Sequence, residues 1–224
     1  MKKTLLLHGA LGSAKQFGPL MDTNTPESFV TYDFPGHGSR LPSDVKEWSI
    51  QAFADDLAAF VVQHNLQGCQ VFGHSMGAYV ATFCALKHPD LFSNIIALGT
   101  KWEWNKSFAV SESAKLDFQS LVLNAPGFVA LLQKYHSHQE LSLLTSGVVH
   151  LMQKLGKKQV VTTLENMSIP LHIYRGTKDK MVTENESVFM ASTNELATFT
   201  SLIDLKHPYE AAPLEVIVDL LNTD

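Results

Sequence analysis

The residues most able to do chemistry in this chain lie in the pentapeptide Gly73-His74-Ser75-Met76-Gly77. It joins an apolar, strand-like run (69–73) to a helix-like run ending before Pro89. A serine on so sharp a strand-to-helix turn takes a strained backbone conformation that lifts its hydroxyl above the sheet. Only small residues two positions to either side leave room for that. A serine hydroxyl is a weak nucleophile, so it needs a base within hydrogen-bond reach and a carboxylate to hold that base in the right tautomer. Asp179 follows the apolar run 171–174 through Arg175-Gly176-Thr177-Lys178, and His207 follows a run ending near Leu205. On such a turn the partners come in the chain order serine, acid, histidine. Of ten histidines only His207 lies beyond Asp179. Two alternatives stay open: Asp179 as an ordinary turn residue with Glu103 as the acid, and His207 as a capping residue before Pro208. Acyl transfer also needs rigid N–H donors for the developing oxyanion. The backbone N–H groups of Met76, at a helix start, and Ala10, in the turn His8-Gly9-Ala10, meet that need.

These residues must be positioned by the elements between them. Residues 4–8 and 28–33 read as short buried strands, each followed by a glycine-rich turn, His8-Gly9-Ala10-Leu11-Gly12 and Pro35-Gly36-His37-Gly38. From Ser49 to about Asn65 apolar residues recur at helical spacing, with Ser49 placed to cap. Strand 69–73, helix 75–86 and strand 95–98 follow. Residues 101–167 show helical periodicity and no convincing strand. Then come strand 171–174, a helix after Thr183 with capping-box spacing to Glu186, strand 199–205 and a last helix near Pro213. This alternation predicts an α/β fold, a mostly parallel sheet of about six strands with helices on both faces, and ligands at the carboxyl ends of the strands. One domain over 1–224 is expected, with 101–167 as a helical insertion within it.

Composition narrows the function classes. The net charge of -5 and the absence of a Lys/Arg stripe argue against a nucleic-acid partner. The apolar run after Lys2-Lys3 is broken by His8 and Gly9, so it reads as a first strand rather than a signal peptide, and no segment has the apolar length to span a bilayer. A cytoplasmic location is the resulting expectation. Cys69 and Cys84 read as buried thiols. His136, His138 and His150 lack the carboxylate spacing of a metal site, so packing or exposed roles are expected, with no metal.

With these motifs in place, the chain resembles the α/β-hydrolase superfamily from first strand to last helix. His8-Gly9-Ala10 resembles its oxyanion loop, 33–39 its D-x-P-G-H-G-x-S-type loop, 73–77 its nucleophile elbow, 176–182 its acid loop and His207-Pro208 its histidine loop. The resemblance implies a cap over the site and places Leu11 and Met181 beside the pocket; Trp102 is a further candidate for an apolar cap lining. Ala78 stands where the carbon-carbon lyase of menaquinone synthesis carries an arginine, which weakens that reading. Ser75 argues against the dehalogenases and epoxide hydrolases that use aspartate. The expected activity is hydrolysis of a small carboxylic ester or thioester through an acyl-serine, on a small-molecule acyl substrate and without a cofactor. The alternatives are carbon-carbon bond chemistry on the same triad, or a non-catalytic receptor that keeps the fold.

Overall fold

Along each central strand, successive apolar side chains fall into two separate cores, as the period-two geometry of a strand requires. Leu5, Leu7, Val71, Ile95, Ala97 and Ile173 belong to one core; Leu6, Phe72, Ile96, Leu98 and Tyr174 belong to the other. A strand covered on both faces has no polar side to show, which is why these runs read as continuously apolar. The computed structural model describes residues 3–23, 28–40, 44–136 and 140–222. Its six strands are β1 (Thr4–Leu7), β2 (Phe29–Tyr32), β3 (Cys69–His74), β4 (Phe92–Leu98), β5 (Leu171–Gly176) and β6 (Ala197–Leu202). They form one parallel sheet in the order β2-β1-β3-β4-β5-β6.

The larger core packs under α2 (Ile50–Gln63) and α3 (Met76–Lys87). The smaller lies against α1 (Gly18–Met21) and α9 (Leu214–Leu221). Local sequence explains the helix starts. Ser49 Oγ accepts from Ala52 N at 3.1 Å to cap α2, and Thr183 with Glu186 forms a complete capping box at the start of α8 (Glu184–Ser192). Pro213 is the cap residue of α9 rather than its first helical residue. Between β4 and β5 lie four helices, α4 (Lys106–Ala114), α5 (Phe118–Asn124), α6 (Pro126–Tyr135) and α7 (Leu141–Lys157), with no strand among the described residues.

Two strand boundaries differ from the sequence expectation by three residues, and the rest agree within two. β4 begins at Phe92, because β3 offers it a partner from Cys69 onward. β6 ends at Leu202, where its partner β5 ends at Gly176. The chain then turns at Asp204, whose φ is 62° and whose N–H donates to Thr177 Oγ1 at 2.8 Å. No helix among the described residues is long and apolar enough to cross a membrane.

The chain runs from β1 out to β2 and returns to place β3 on the other side of β1. That reversal leaves a crevice between the loops after β1 and β3, where open parallel sheets bind ligands. Leu7 pairs with Gly73 in register, so the turn after β1 and the residue after β3 emerge side by side.

Candidate active site

Ser75 sits in that crevice as the cap residue of α3, with φ 50° and ψ −113°. Its backbone is held from both sides: its N–H donates to Leu98 O at 2.8 Å, and its carbonyl accepts from Tyr79 N at 3.2 Å. The flanking glycines are needed for close approach. A Cβ on Gly73 would stand 2.4 Å from Ala78 N, and one on Gly77 would stand 2.5 Å from Leu7 O.

Asp179 and His207 come from the loops after β5 and β6. His207 Nδ1 and Asp179 Oδ2 are 2.8 Å apart. The other carboxylate oxygen accepts from Met181 N at 2.8 Å and Val182 N at 3.0 Å, which fixes the carboxylate plane. Burial alone would raise the Asp179 pKa, but the hydrogen bond and charge of His207 and the two N–H donors outweigh it, and the pKa is lowered. The ring of His207 is partly exposed, whereas Asp179 is buried. Among the described residues the Ser75 hydroxyl makes no hydrogen bond; Ser75 and His207 line one cavity of about 940 Å³. Glu103 is exposed and lines a different cavity, with Trp102 and Gln159.

The turn after β1 is set by buried histidines. His8 Nδ1 donates to Gly9 O at 2.8 Å and its Nε2 accepts from Phe34 N at 3.1 Å, so the ring is neutral and serves both loops. Burial pushes its pKa down to about 3. Leu11 adopts φ 61°, and Gly12 N donates to Gly9 O at 3.0 Å to close the turn. Asp33 accepts from Ala14 N at 2.7 Å and from Ser39 N at 3.1 Å, tying the second loop to the first. His136, at the end of α6, bridges them again: Nδ1 accepts from Gly38 N at 2.8 Å and Nε2 donates to Leu11 O at 2.9 Å. His136 was expected to pack or to lie in solvent. It is fully buried and hydrogen-bonded at both nitrogens, a pairing across 98 and 125 residues that no local pattern signals. His150 contacts Lys46 O at the surface, and His138 lies outside the described residues.

A second, narrow cavity is lined by Ala10, Ser75 and Met76 and runs back to Tyr79, Leu151 and Leu155. Neither Ala10 N nor Met76 N donates to a loop carbonyl or a side chain among the described residues. Met181 lines both this cavity and the larger one, and Leu11 lines the larger. Trp102 is buried away from Ser75; Trp104 occupies the cavity wall instead. Trp104 Nε1 donates to Lys101 O at 3.0 Å, whereas Trp102 is packed into the core beside Tyr79 with ring centroids 6.0 Å apart, a difference two neighbouring tryptophans do not reveal in sequence.

Sequence reasoning did not find Lys101 and Glu186. They form a buried ion pair at 2.8 Å, and the Glu186 carboxylate also accepts from Trp102 N at 3.1 Å and Glu103 N at 2.8 Å. Lys101 lines the wall of the cavity of Ala10 and Ser75. The only signal was the capping-box spacing of Glu186, which gives it a local role and hides the distant one. Among the described residues no group of three or more His, Cys, Asp or Glu is placed to hold a metal ion.

A strained serine at a strand-to-helix turn, an Asp–His pair whose histidine shares its cavity and a parallel sheet behind them are features of an α/β-hydrolase fold, and residues 5–181 match the family model described as alpha/beta hydrolase fold. The chain belongs to that family. Its relatives include the sn-1-specific diacylglycerol lipase ABHD11 of Xenopus laevis, 23% identical over 168 residues, with 74% of this chain and 47% of the lipase covered. Ethanol acetyltransferase 1 of Kluyveromyces lactis is 32% identical over 92 residues, 40% of this chain and 24% of that enzyme. The matched part of the chain thus spans between a quarter and a half of these relatives. Among solved structures, NosK of Streptomyces actuosus superposes with a TM-score of 0.78 at 17% identity, covering 98% of this chain and 96% of NosK.

Proposed function

We propose that the chain is a serine hydrolase that cleaves small carboxylic esters or thioesters, with Ser75 as nucleophile, His207 as general base and acid, and Asp179 orienting the histidine. The observation that carries this reading is the 2.8 Å contact between Asp179 Oδ2 and His207 Nδ1, which leaves Nε2 of a ring that shares its cavity with Ser75. In this mechanism Ser75 Oγ attacks the acyl carbonyl while His207 Nε2 takes its proton. The oxyanion is received by the N–H groups of Ala10 and Met76. The proton passes to the leaving atom as its bond to carbon breaks, and a water deprotonated by His207 then releases the acid. Every step uses groups of the chain itself. The helices between β4 and β5 act as the cap in this reading.

The cavity of Ala10 and Met76 is apolar apart from Lys101 and runs back to Leu151 and Leu155, so it suits a short acyl chain. A fluorophosphonate probe should label the wild type stoichiometrically and Ser75→Ala not at all. Turnover of p-nitrophenyl esters should be greatest for short acyl groups. A wild type that takes up no probe would favour the receptor alternative. The likeness to an ethanol acetyltransferase supports a second reading, in which an alcohol rather than water resolves the acyl-serine. Added ethanol would then divert product from free acid to ethyl ester.

A further inference from the structure

Lysines gather around Asp179 and His207 in a chain whose net charge is -5. Beyond His207 the cavity opens into a mouth of about 1120 Å³ that shares Glu112, Lys115, Met181, His207 and Pro208 with the cavity of Ser75. Four lysines line this mouth: Lys115, Lys178, Lys180 and Lys206. They come from three separate segments. Lys115 closes the end of α4, Lys178 and Lys180 flank Asp179, and Lys206 precedes His207. The acids nearby are already engaged: Glu112 pairs with Lys115 at 2.6 Å, Asp204 with Lys178 at 2.9 Å, and Asp179 with His207 at 2.8 Å. Lys180 and Lys206 are exposed and have no ion-pair partner among the described residues. The other cavity beside Ser75 is apolar apart from Lys101, whose charge Glu186 takes up.

We infer that the leaving group of the natural substrate is anionic and carries phosphate or comparable charges that settle among Lys180, Lys206 and their neighbours. The inference rests on the triad reading above, because that reading fixes which side is which. In that reading the carbonyl oxygen lies at the N–H groups of Ala10 and Met76, and the acyl chain takes the largely apolar cavity behind them. The leaving atom receives its proton from His207, so the leaving group departs past His207 into the lysine-lined mouth. With no counter-ion among the described residues, Lys180 and Lys206 at a concave mouth cost some self-repulsion in the free protein and draw in an incoming anion. For a phosphate-bearing thioester, Ser75 Oγ forms the new C–O bond, the C–S bond breaks, and the sulfur takes the proton from His207 to leave as a thiol. Water then converts the acyl-serine to the carboxylic acid.

The test compares butyryl-coenzyme A with the butyryl thioester of N-acetylcysteamine, which has the same reacting bond and no phosphates. At about 20 mM salt kcat/KM should favour the coenzyme ester by about tenfold or more, and the ratio should fall toward one near 0.5 M salt as the charges are screened. Lys180→Ser with Lys206→Ser should bring the ratio at low salt to within about threefold of one. A ratio near one in the wild type, or one that ignores both salt and the double substitution, overturns the inference. Should neither thioester be hydrolysed, the hydrolase reading fails for thioesters, and a second measurement still decides the charge claim. Free coenzyme A should slow fluorophosphonate labelling of Ser75 in the wild type at low salt and lose that effect in the double variant. Equal labelling rates with and without coenzyme A would overturn it.

Discussion

His74 Nε2 donates a hydrogen bond to the backbone carbonyl of His207 at 2.9 Å, so the residue before Ser75 holds the loop that carries the histidine of the site. Burial is the main reason its pKa falls to about 3, with the neighbouring His207 adding to it. The His74 ring is therefore neutral at neutral pH. His74→Phe keeps the ring volume and removes the donor. Loss of about 1 kcal/mol of positioning predicts a fall in kcat of roughly fivefold or more. KM should change less than kcat, since the bond orients His207 and does not touch substrate. His74→Gln, which retains a donor, should recover part of the loss in steady-state assays.

The acid assignment separates two residues by geometry. Asp179→Asn should lower kcat by roughly 10³ to 10⁴ because the amide cannot hold the same His207 tautomer, whereas Glu103→Gln should act like wild type. Thermal melts of both variants would show whether folding is intact. A normal Asp179→Asn enzyme would remove Asp179 from the mechanism.

Below neutrality the buried histidines should set the stability of the site. His8, His37, His74 and His136 all have pKa values lowered chiefly by burial. The unfolded chain takes up protons near pH 6.5 while these rings resist until lower pH. Stability is therefore full above about pH 6.5 and declines as pH falls, by up to about 1.4 kcal/mol per pH unit for each ring still neutral in the folded state. Urea denaturation at pH 7.5, 6 and 5 would read this slope, and His136→Asn should make it shallower. An unchanged slope in that variant would mean His136 is not among the groups responsible.

The Lys101–Glu186 pair predicts an asymmetric response to substitution. Lys101→Met leaves the Glu186 charge buried without a cation, and should cost about 3 to 5 kcal/mol in urea unfolding. Lys101→Met with Glu186→Gln removes both charges and should recover much of that loss. Because Lys101 lines the cavity of Ser75, both variants should also shift the preferred acyl length, read with a series of p-nitrophenyl esters.

The sequence by itself determined what depends on near neighbours. Apolar runs without a polar face required strands covered on both sides, Ser49 and Thr183 with Glu186 announced helix starts, and Gly73 and Gly77 announced a turn too tight for a Cβ. Position after an apolar run pointed to Asp179, with Glu103 left open, and chain order then left His207 as the histidine beyond it; the fold brings the two to 2.8 Å. Only the tertiary structure decided the contacts made across long separations: His136 joined to Gly38 and Leu11, Lys101 to Glu186, and His74 to the carbonyl of His207. It also decided that Trp104 rather than Trp102 faces the cavity, and that four lysines scattered over 92 positions share one mouth. The reason is physical. Periodicity and capping act over a turn or two of chain, whereas the partner of a buried polar group is chosen by which loops the sheet order places side by side.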